Sequence, residues 1–449
     1  MNVLSIYASH DGCVTYIKNN QIVFHTQIDR YNRFKYYSFP VKSLIQELEK
    51  LEIDKIIISH HSRDHSMIIW DDLIKNNRKL QKVEAQYYGA EHHHLFHAYC
   101  ALTWNQNIKN ILVCDGEGSN YRKVVERESI FNFGKRVKTE ANEIGLSYER
   151  FTGDHFEHPL ACGKTMAWSL HDDRPKRIQL KFESEMNALI KKWKLKGSIL
   201  FTGGCAQNVL YNSKLIPKFN TVFCDPFNGD FGLSLGAANY FLNNKVVNKE
   251  IYLGIPQELD ISPFSKYNII DAGPNEVAKI LLKEPVAIFQ SRSEQGQRGL
   301  GNRSLLMNPT HKNAHDKLNE IKKREWFRPF ACSILEEKAS EWFDMTINRS
   351  PYMMYIFNLK EEKDGILKAG LAIDKKSRIQ TVAKKDNLHY YDLIKSFEKI
   401  TGVPVLLNTS LNFPGEVLVE TIENMKELFI NSKLKYIYYP EINKLIKKL

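Results

Sequence analysis

No run of apolar residues in this chain approaches the roughly 18–20 that a membrane-spanning helix needs, so a helical membrane protein is excluded. The opening "MNVLSIYASHDG" lacks a basic n-region and a small-residue cleavage site. It reads as a strand entering a turn, not as a secretory leader. Cysteine is sparse and irregular: residues 13, 100, 114, 162, 205, 224 and 332 form no CxxC pair and no framework. That excludes a disulfide scaffold and fits a reducing, cytoplasmic compartment. Low-complexity segments and short-period repeats are also missing.

What is present is ordinary globular material. The 449 residues are 43% hydrophobic and 26% charged, enough for two or three domains. The net charge of +11 has two readings. One is a polyanionic partner such as nucleic acid or a phosphate-rich ligand. The other is a general bias, because Lys, Asn and Ile are abundant throughout and the basic residues are spread along the chain.

The pattern alternates strands, Gly turns and helices, which argues for an α/β architecture. "VLSIYASH", a "DG" turn and "CVTYIKNNQIVFHTQ" predict paired strands, with "NN" as a two-residue turn. "SFPVKSLIQELEKLEI" has helical spacing and "DKIIISHH" reads as a short buried strand. Further strands are expected in "NILVC", "SILFT", "PVAIFQ", "RIQTVAK" and "VPVLLN". Periodicity fades over 245–265, which reads as a connector between a domain at 1–250 and another at 265–449.

Four histidines fall within "GAEHHHLFHAYCA". His93 and His97 are the one pair four apart, the spacing that puts two imidazoles on one helix face. Such a pair can share a divalent cation. A solvated, histidine-rich helix start is the alternative. Asp115 ends the strand "NILVC", eighteen residues after His97, and Asp230 sits in the Gly-flanked loop of "FCDPFNGDFGLSLGAA". Two histidines and two carboxylates suit Fe(II), Mn or Zn, and the spacing does not choose among them.

Gly turns follow strands at Gly203-Gly204 in "LFTGGCAQN", in "DGEGSN", and in "SHDGCVTY" with Asp11 at its tip. The first is expected to open a helix near Ala206, with Asn208 in it. Backbone N–H groups at such turns can cradle a phosphate, although a tight connection would look the same. The second half concentrates cations: Arg292, Arg298 and Arg303 around Asn302, then Lys322, Lys323, Arg324 and Arg328, then Arg378. Asn408, Thr409, Ser410 and Asn412 end a strand beside them in sequence type. Arginine forks match phosphate and carboxylate geometry, while hydroxyls and amides fix orientation. A solvated loop or a nucleic-acid surface is the competing view.

Taken in order, "SHDGCVTYIKNNQIVF" with "DRYNRFK", "EHHHLFHA", "VCDGEG", "CGKTMA", "FTGGCAQN", "DPFNGDFGLSLGAA", "SRSEQGQRGLGNRS", "KKREWFRPFA", "SRIQTV" and "LLNTSLNFPGE" resemble the O-carbamoyltransferases that act on antibiotics and nodulation factors. The resemblance implies an actin-like ATPase (ASKHA-type) N-terminal domain, similar to the tRNA threonylcarbamoyltransferase, and a C-terminal YrdC-like α/β domain. It implies that carbamoyl phosphate and ATP give carbamoyladenylate, which then carbamoylates an acceptor hydroxyl. His93, His97, Asp115 and Asp230 would hold Fe(II). Arg298, Lys323, Arg378 and Ser410 would match the carbamoyl phosphate and ATP positions. Arg292, Asn302, Arg303, Arg328, Asn408, Gly203, Gly204 and Asn208 would line the substrate and nucleotide sites. His10 or Asp11 would be the base for the acceptor proton.

This chain departs from the family at Ser291, Gln297, Cys332, Leu411 and Val417, and keeps only Asp29 of an acidic pair before "RYNR". It is also shorter than many relatives, which favours a small or an extended, accessible acceptor. A sugar is the family default, and the positive charge keeps a hydroxymethylated nucleotide or DNA base in view. Threonylcarbamoyl transfer to tRNA and a metal-stabilised nucleic-acid-binding protein are the competing functions. Neither accounts for "GNRS", "FRPFA" and "NTSLN" together.

Overall fold

The computed structural model describes residues 1–61, 65–118, 120–121 and 124–448. Ser119 of the "DGEGSN" turn and the final Leu449 lie outside them. The chain divides into two compact units, Met1–Leu253 and Gly254–Leu449. Among the described residues no helix is long and apolar enough to cross a membrane.

The first unit is built twice. Its first sheet contains, in chain order, Asn2–Tyr7, Cys13–Lys18, Gln21–Gln27, Lys55–Ser59 and Ala85–Tyr88. They lie in the spatial order third, second, first, fourth, fifth. The first three are antiparallel neighbours, and the fourth and fifth run parallel to the first. The second sheet contains Asn110–Cys114, Glu128–Asn132, Lys135–Glu140, Ser198–Thr202 and Thr221–Cys224. Its spatial order and strand directions are the same. This duplicated sheet is the actin-like ATPase architecture. No short-period repeat announced it, because what repeats is strand pairing rather than residue type.

Local chemistry explains the elements. Asn19 and Asn20 both take positive φ, 52° and 63°, as a tight hairpin turn requires. The parallel strands "KIIIS", "NILVC" and "SILFT" are buried along nearly their whole length, as strands covered on both faces must be. Each half ends with a helix after its fifth strand: His93–Trp104 in the first, Leu233–Phe241 in the second. These helices pack on each other and cross over. The first lies on strands of the second sheet, the second on strands of the first sheet. Ala98, Ala101 and Leu102 of the first helix join Ile111, Val113 and Leu200 in one core cluster. Gly236 lets the helices meet this closely, since a Cβ there would collide with the Phe96 carbonyl.

The second unit carries a nine-stranded mixed sheet with Val286–Phe289, Arg303–Met307, Val405–Ser410 and Ala331–Leu335 as adjacent strands at its middle. Helices Pro274–Leu281 and Leu388–Thr401 pack together beside it. Asn387 caps the latter by accepting from Tyr390 N, and Gly402 closes it at φ 74°. All seven cysteines are free thiols and six are buried.

Candidate functional site

The crossing of the two helices in the first unit assembles the site. His93 and His97 stand on the first two turns of helix His93–Trp104, which puts both imidazoles on one face. Asp230 lies immediately before helix Leu233–Phe241, and Asp115 follows the first strand of the second half. All four are buried, and one donor atom of each lies within 4.8 Å of every other. His93 Nε2 is 3.6 Å from Asp115 Oδ2 and 3.5 Å from Asp230 Oδ1. His97 Nε2 is 3.1 Å and 3.5 Å from the same atoms. Ligands at about 2.1 Å from a metal, at octahedral or tetrahedral angles, are separated by about 3.0–3.4 Å, so this spacing fits a coordinated ion.

The electrostatics agree. Both Nε2 atoms and Asp115 Oδ2 are buried without a well-angled hydrogen-bond partner. Burial would raise the two carboxyls, but the imidazoles hold Asp115 and Asp230 well below the usual range. Burial would lower His97, yet Asp115 and Asp230 hold it up at about 9. Burial does lower His93, against the pull of Asp230.

The outer oxygen of Asp230 is also fixed. Tyr7 donates its hydroxyl to Oδ2 at 2.8 Å, and His10 Nε2 lies 3.1 Å from the same atom. Such partners orient a ligand carboxylate and tune its metal. Asp115 Oδ1 accepts from Gly116 N at 2.8 Å. His61 packs edge-on against His93 at 4.9 Å and bonds the Gly118 carbonyl at 3.1 Å. His94 points away, to Ser129 Oγ at 2.8 Å. His10 is 46% exposed and marks the open side of the cluster, with Asp11 beside it in left-handed backbone at φ 56°. Glu149 abuts Gly116, and its carboxyl is pushed up to about 8 by burial and then by Asp115. Tyr7, His61 and Glu149 gave no signal in the sequence, because each reads as ordinary core or helix surface.

The Gly203-Gly204 turn makes a close backbone approach. Gly203 has φ 86°, and a Cβ there would strike the Cys114 carbonyl. A Cβ on Gly204 would sit 2.8 Å from Asp115 Oδ1. Both glycines therefore let this loop pack against the Asp115 turn. The expected helix near Ala206 is a short 3₁₀ turn, and the α-helix begins at Val209. Asn208 is its N-cap, accepting from Tyr211 N at 3.1 Å and exchanging bonds with Gln179. Its amide is thus spent on structure.

In the second unit, Arg378 lies among Arg298, Arg324 and Arg328. Burial first, and then Arg298, Arg324 and Arg328, depress Arg378 strongly. Burial and Arg328 hold Arg324 at about 9 and Arg298 at about 10. Arg328 meets Glu325 at 3.3 Å. Nε of Arg324 and of Arg378 is buried without a partner. Guanidiniums gathered in this way favour an anion among them.

Other expected contacts are engaged elsewhere. Arg303 is fully buried; it donates to the carbonyls of Gln290, Ser291, Asn302 and Glu420, and stacks on Phe289 at 3.6 Å. Asn302 bonds the Arg292 carbonyl and Asn387, and Asn408 bonds Ser333 and Gln380. Arg292 is half-buried in the same loop. Lys323 is exposed on the left-handed cap of helix Ala314–Lys322. Its neighbour Lys322 is the buried one, holding the carbonyls of Ser410 and Asn412 at 2.7 and 2.8 Å. Ser410 donates to Asn412 Oδ1 at 2.8 Å. Glu294, also fully buried, accepts from the backbone of Leu300, Asn302 and Arg303 and so shapes the turn that carries Arg298.

A two-lobed α/β unit with a metal-ready cluster, joined to a unit with a guanidinium cluster, defines the class. Residues 277–446 match the family described as "Carbamoyltransferase C-terminus", so the chain carries that domain. The chain is 34% identical to nodulation protein NolNO of Sinorhizobium fredii, over 52% of this chain and 37% of that protein. It is 32% identical to nodulation protein NolO of Bradyrhizobium diazoefficiens, over 53% and 47%. It therefore spans less than half of these relatives. It is 26% identical to uncharacterized protein MJ1051 of Methanocaldococcus jannaschii, over 93% and 94%. Among solved structures, the activator of the 2-hydroxyisocaproyl-CoA dehydratase from Clostridium difficile aligns with 56% of this chain and 100% of its own, at 12% identity and TM-score 0.32.

Proposed function

We propose that this chain is an ATP-dependent O-carbamoyltransferase acting on a hydroxyl acceptor. The observation that carries the reading is the pairing, in one chain, of the His93–His97–Asp115–Asp230 cluster with four crowded guanidiniums inside residues 277–446.

In this reading the second unit, YrdC-like in role, makes carbamoyladenylate. One water converts carbamoyl phosphate to carbamate and phosphate. A carbamate oxygen then attacks the α-phosphorus of ATP, and pyrophosphate leaves. Arg298, Arg324, Arg328 and Arg378 offset the charge of the bound phosphates, and their mutual repulsion, restored as pyrophosphate leaves, favours binding of the next anion. Lys322 and Asn412 hold the Ser410 loop at the strand end. In the first unit the acceptor oxygen bonds to the carbamoyl carbon, the bond to the AMP oxygen breaks, and AMP leaves with that electron pair. A divalent metal, Fe(II) in this reading, held by the four-residue cluster, would polarise the carbamoyl oxygen or the adenylate phosphate. His10 donates Nε2–H to Asp230 Oδ2, which leaves Nδ1 to take the acceptor proton. Asp11, pushed up to about 7 by burial, is the second base candidate. The acceptor is a sugar or a hydroxymethylated nucleotide or DNA base, and the reaction belongs in the cytoplasm. An extended nucleic-acid surface is disfavoured, because the crowded arginines are partly buried rather than spread on a face.

The test is pyrophosphate release by the purified chain given ATP and Fe(II), with and without carbamoyl phosphate and without acceptor. Release that depends on carbamoyl phosphate and disappears in Arg378→Ala supports the reading. Release independent of carbamoyl phosphate, or none at all, removes it.

A further inference from the structure

The segment "RFKYYSF" places Phe34, Tyr36, Tyr37 and Phe39 within six positions, and nothing above uses their rings. Tyr36 lies face to face with His158, centroids 4.2 Å apart and planes 18° from parallel. The two rings come from opposite halves of the first unit. Tyr36 precedes helix Lys42–Leu48, whereas His158 lies between helices Ile144–His155 and Cys162–Trp168. Tyr36 has φ 63° and Arg33 in the same loop has φ 71°. Left-handed backbone at a bulky aromatic is costly and persists only where the surroundings dictate it.

The loop is anchored at the candidate centre. Ser38 is buried, and its carbonyl accepts from Trp70 Nε1 at 2.7 Å. Its Cα lies 2.8 Å from where a Cβ on Gly12 would be, so it rests on the turn that carries His10 and Asp11. The charges register the same proximity. Burial and then His10 lower His158, and burial and then Asp11 raise Tyr36. Phe34 stands 72% exposed beside them. Aromatic faces held rigidly next to a reactive group are stacking platforms, at low entropic cost to the ligand.

We propose that the outer face of the Tyr36–His158 stack is the platform on which the ring of the acceptor rests, with its hydroxyl beside His10 and Asp11. This rests on the carbamoyl-transfer reading and names the acceptor as a ring-bearing alcohol. A sugar ring stacks through its C–H face and a pyrimidine through its π face.

Ligand-observed NMR titration of the intact chain tests it, with methyl glucopyranoside and 5-hydroxymethyl-2′-deoxycytidine as probes. One probe binds, and the binding one identifies the acceptor source. Its affinity falls about five- to a hundredfold in Tyr36→Leu and in His158→Leu, the range of one lost stacking contact, and survives in Tyr36→Phe. Thermal melts of the variants show that the fold persists, and His158→Leu serves alone where Tyr36→Leu does not fold. Wild-type protein that binds neither ring overturns the proposal, as do leucine variants that bind as tightly as wild type. Ring binding without carbamoyl phosphate-dependent pyrophosphate release counts against the function and leaves the platform standing.

Discussion

At the head of helix His93–Trp104, two imidazoles face two carboxylates, and their donor atoms converge at 3.1–3.6 Å. In the second unit four arginines converge. The first arrangement is built for a cation and the second for an anion. Each gathers charge that a bound ion of the opposite sign would offset. The comparison teaches that the two units hold their strain in opposite signs. A metal relieves one and a polyphosphate the other, so each ligand is expected to stabilise only its own unit.

The strongest way to break that comparison is to remove a metal donor. His97→Ala is expected to abolish stoichiometric Fe(II) or Co(II) binding and to cut carbamoyl transfer by at least about a hundredfold, while acceptor-free pyrophosphate release continues. Loss of both activities would mean that the units are not separable in this way. The mirror experiment is Arg378→Ala. Pyrophosphate release should vanish, yet the melting temperature should hold or rise, because the variant relieves repulsion among partly buried guanidiniums. A clear fall in melting temperature would show that Arg378 is structural. Gly236→Ala drives a methyl into the Phe96 carbonyl and should cost about 1–3 kcal/mol by urea unfolding, mainly in the first unit.

A smaller effect sharpens the picture at the cluster. Tyr7→Phe removes the hydroxyl bond to Asp230 Oδ2 and should weaken metal binding about ten- to a hundredfold without changing stoichiometry. The smallest effect is in pH. Glu149 titrates at about 8 in the folded chain, above its unfolded value. The folded state therefore binds this proton more tightly. That contribution is complete at pH values below the unfolded pKa and is lost as pH rises through about 8. Metal-free Glu149→Gln should thus gain stability on wild type as pH rises from about 5, with the difference levelling above about 8. A constant difference across that range would show that Glu149 is not held in its neutral form.

Legibility followed the range of the interaction. His93 and His97 were readable because helical spacing is local, and the Asn19-Asn20 turn because two residues decide it. Asp115 was readable as a strand-end carboxylate and Asp230 as a carboxylate in a Gly-flanked loop, but their convergence was not, since it needs two helices to exchange sheets. Tyr7 is 223 positions from Asp230 and looked like any strand tyrosine. Arg303 and Arg298 are five apart in one glycine-rich turn and equally basic. One is consumed by four carbonyls, and the other lies near Arg328 and Arg378. Lys322 and Lys323 differ by a single position on a helix end, and the left-handed cap sends the second outward.

The sequence by itself determined the alternation of buried strands and helices, the imidazole pair and the abundance of cations in the second half. These depend on periodicity and composition. Only the tertiary structure decided which carboxylates meet the imidazoles, which arginines remain available for an anion, and that Tyr36 lies on His158. Those outcomes depend on sheet pairing and helix crossing between residues far apart in the chain, where no local pattern records the partner.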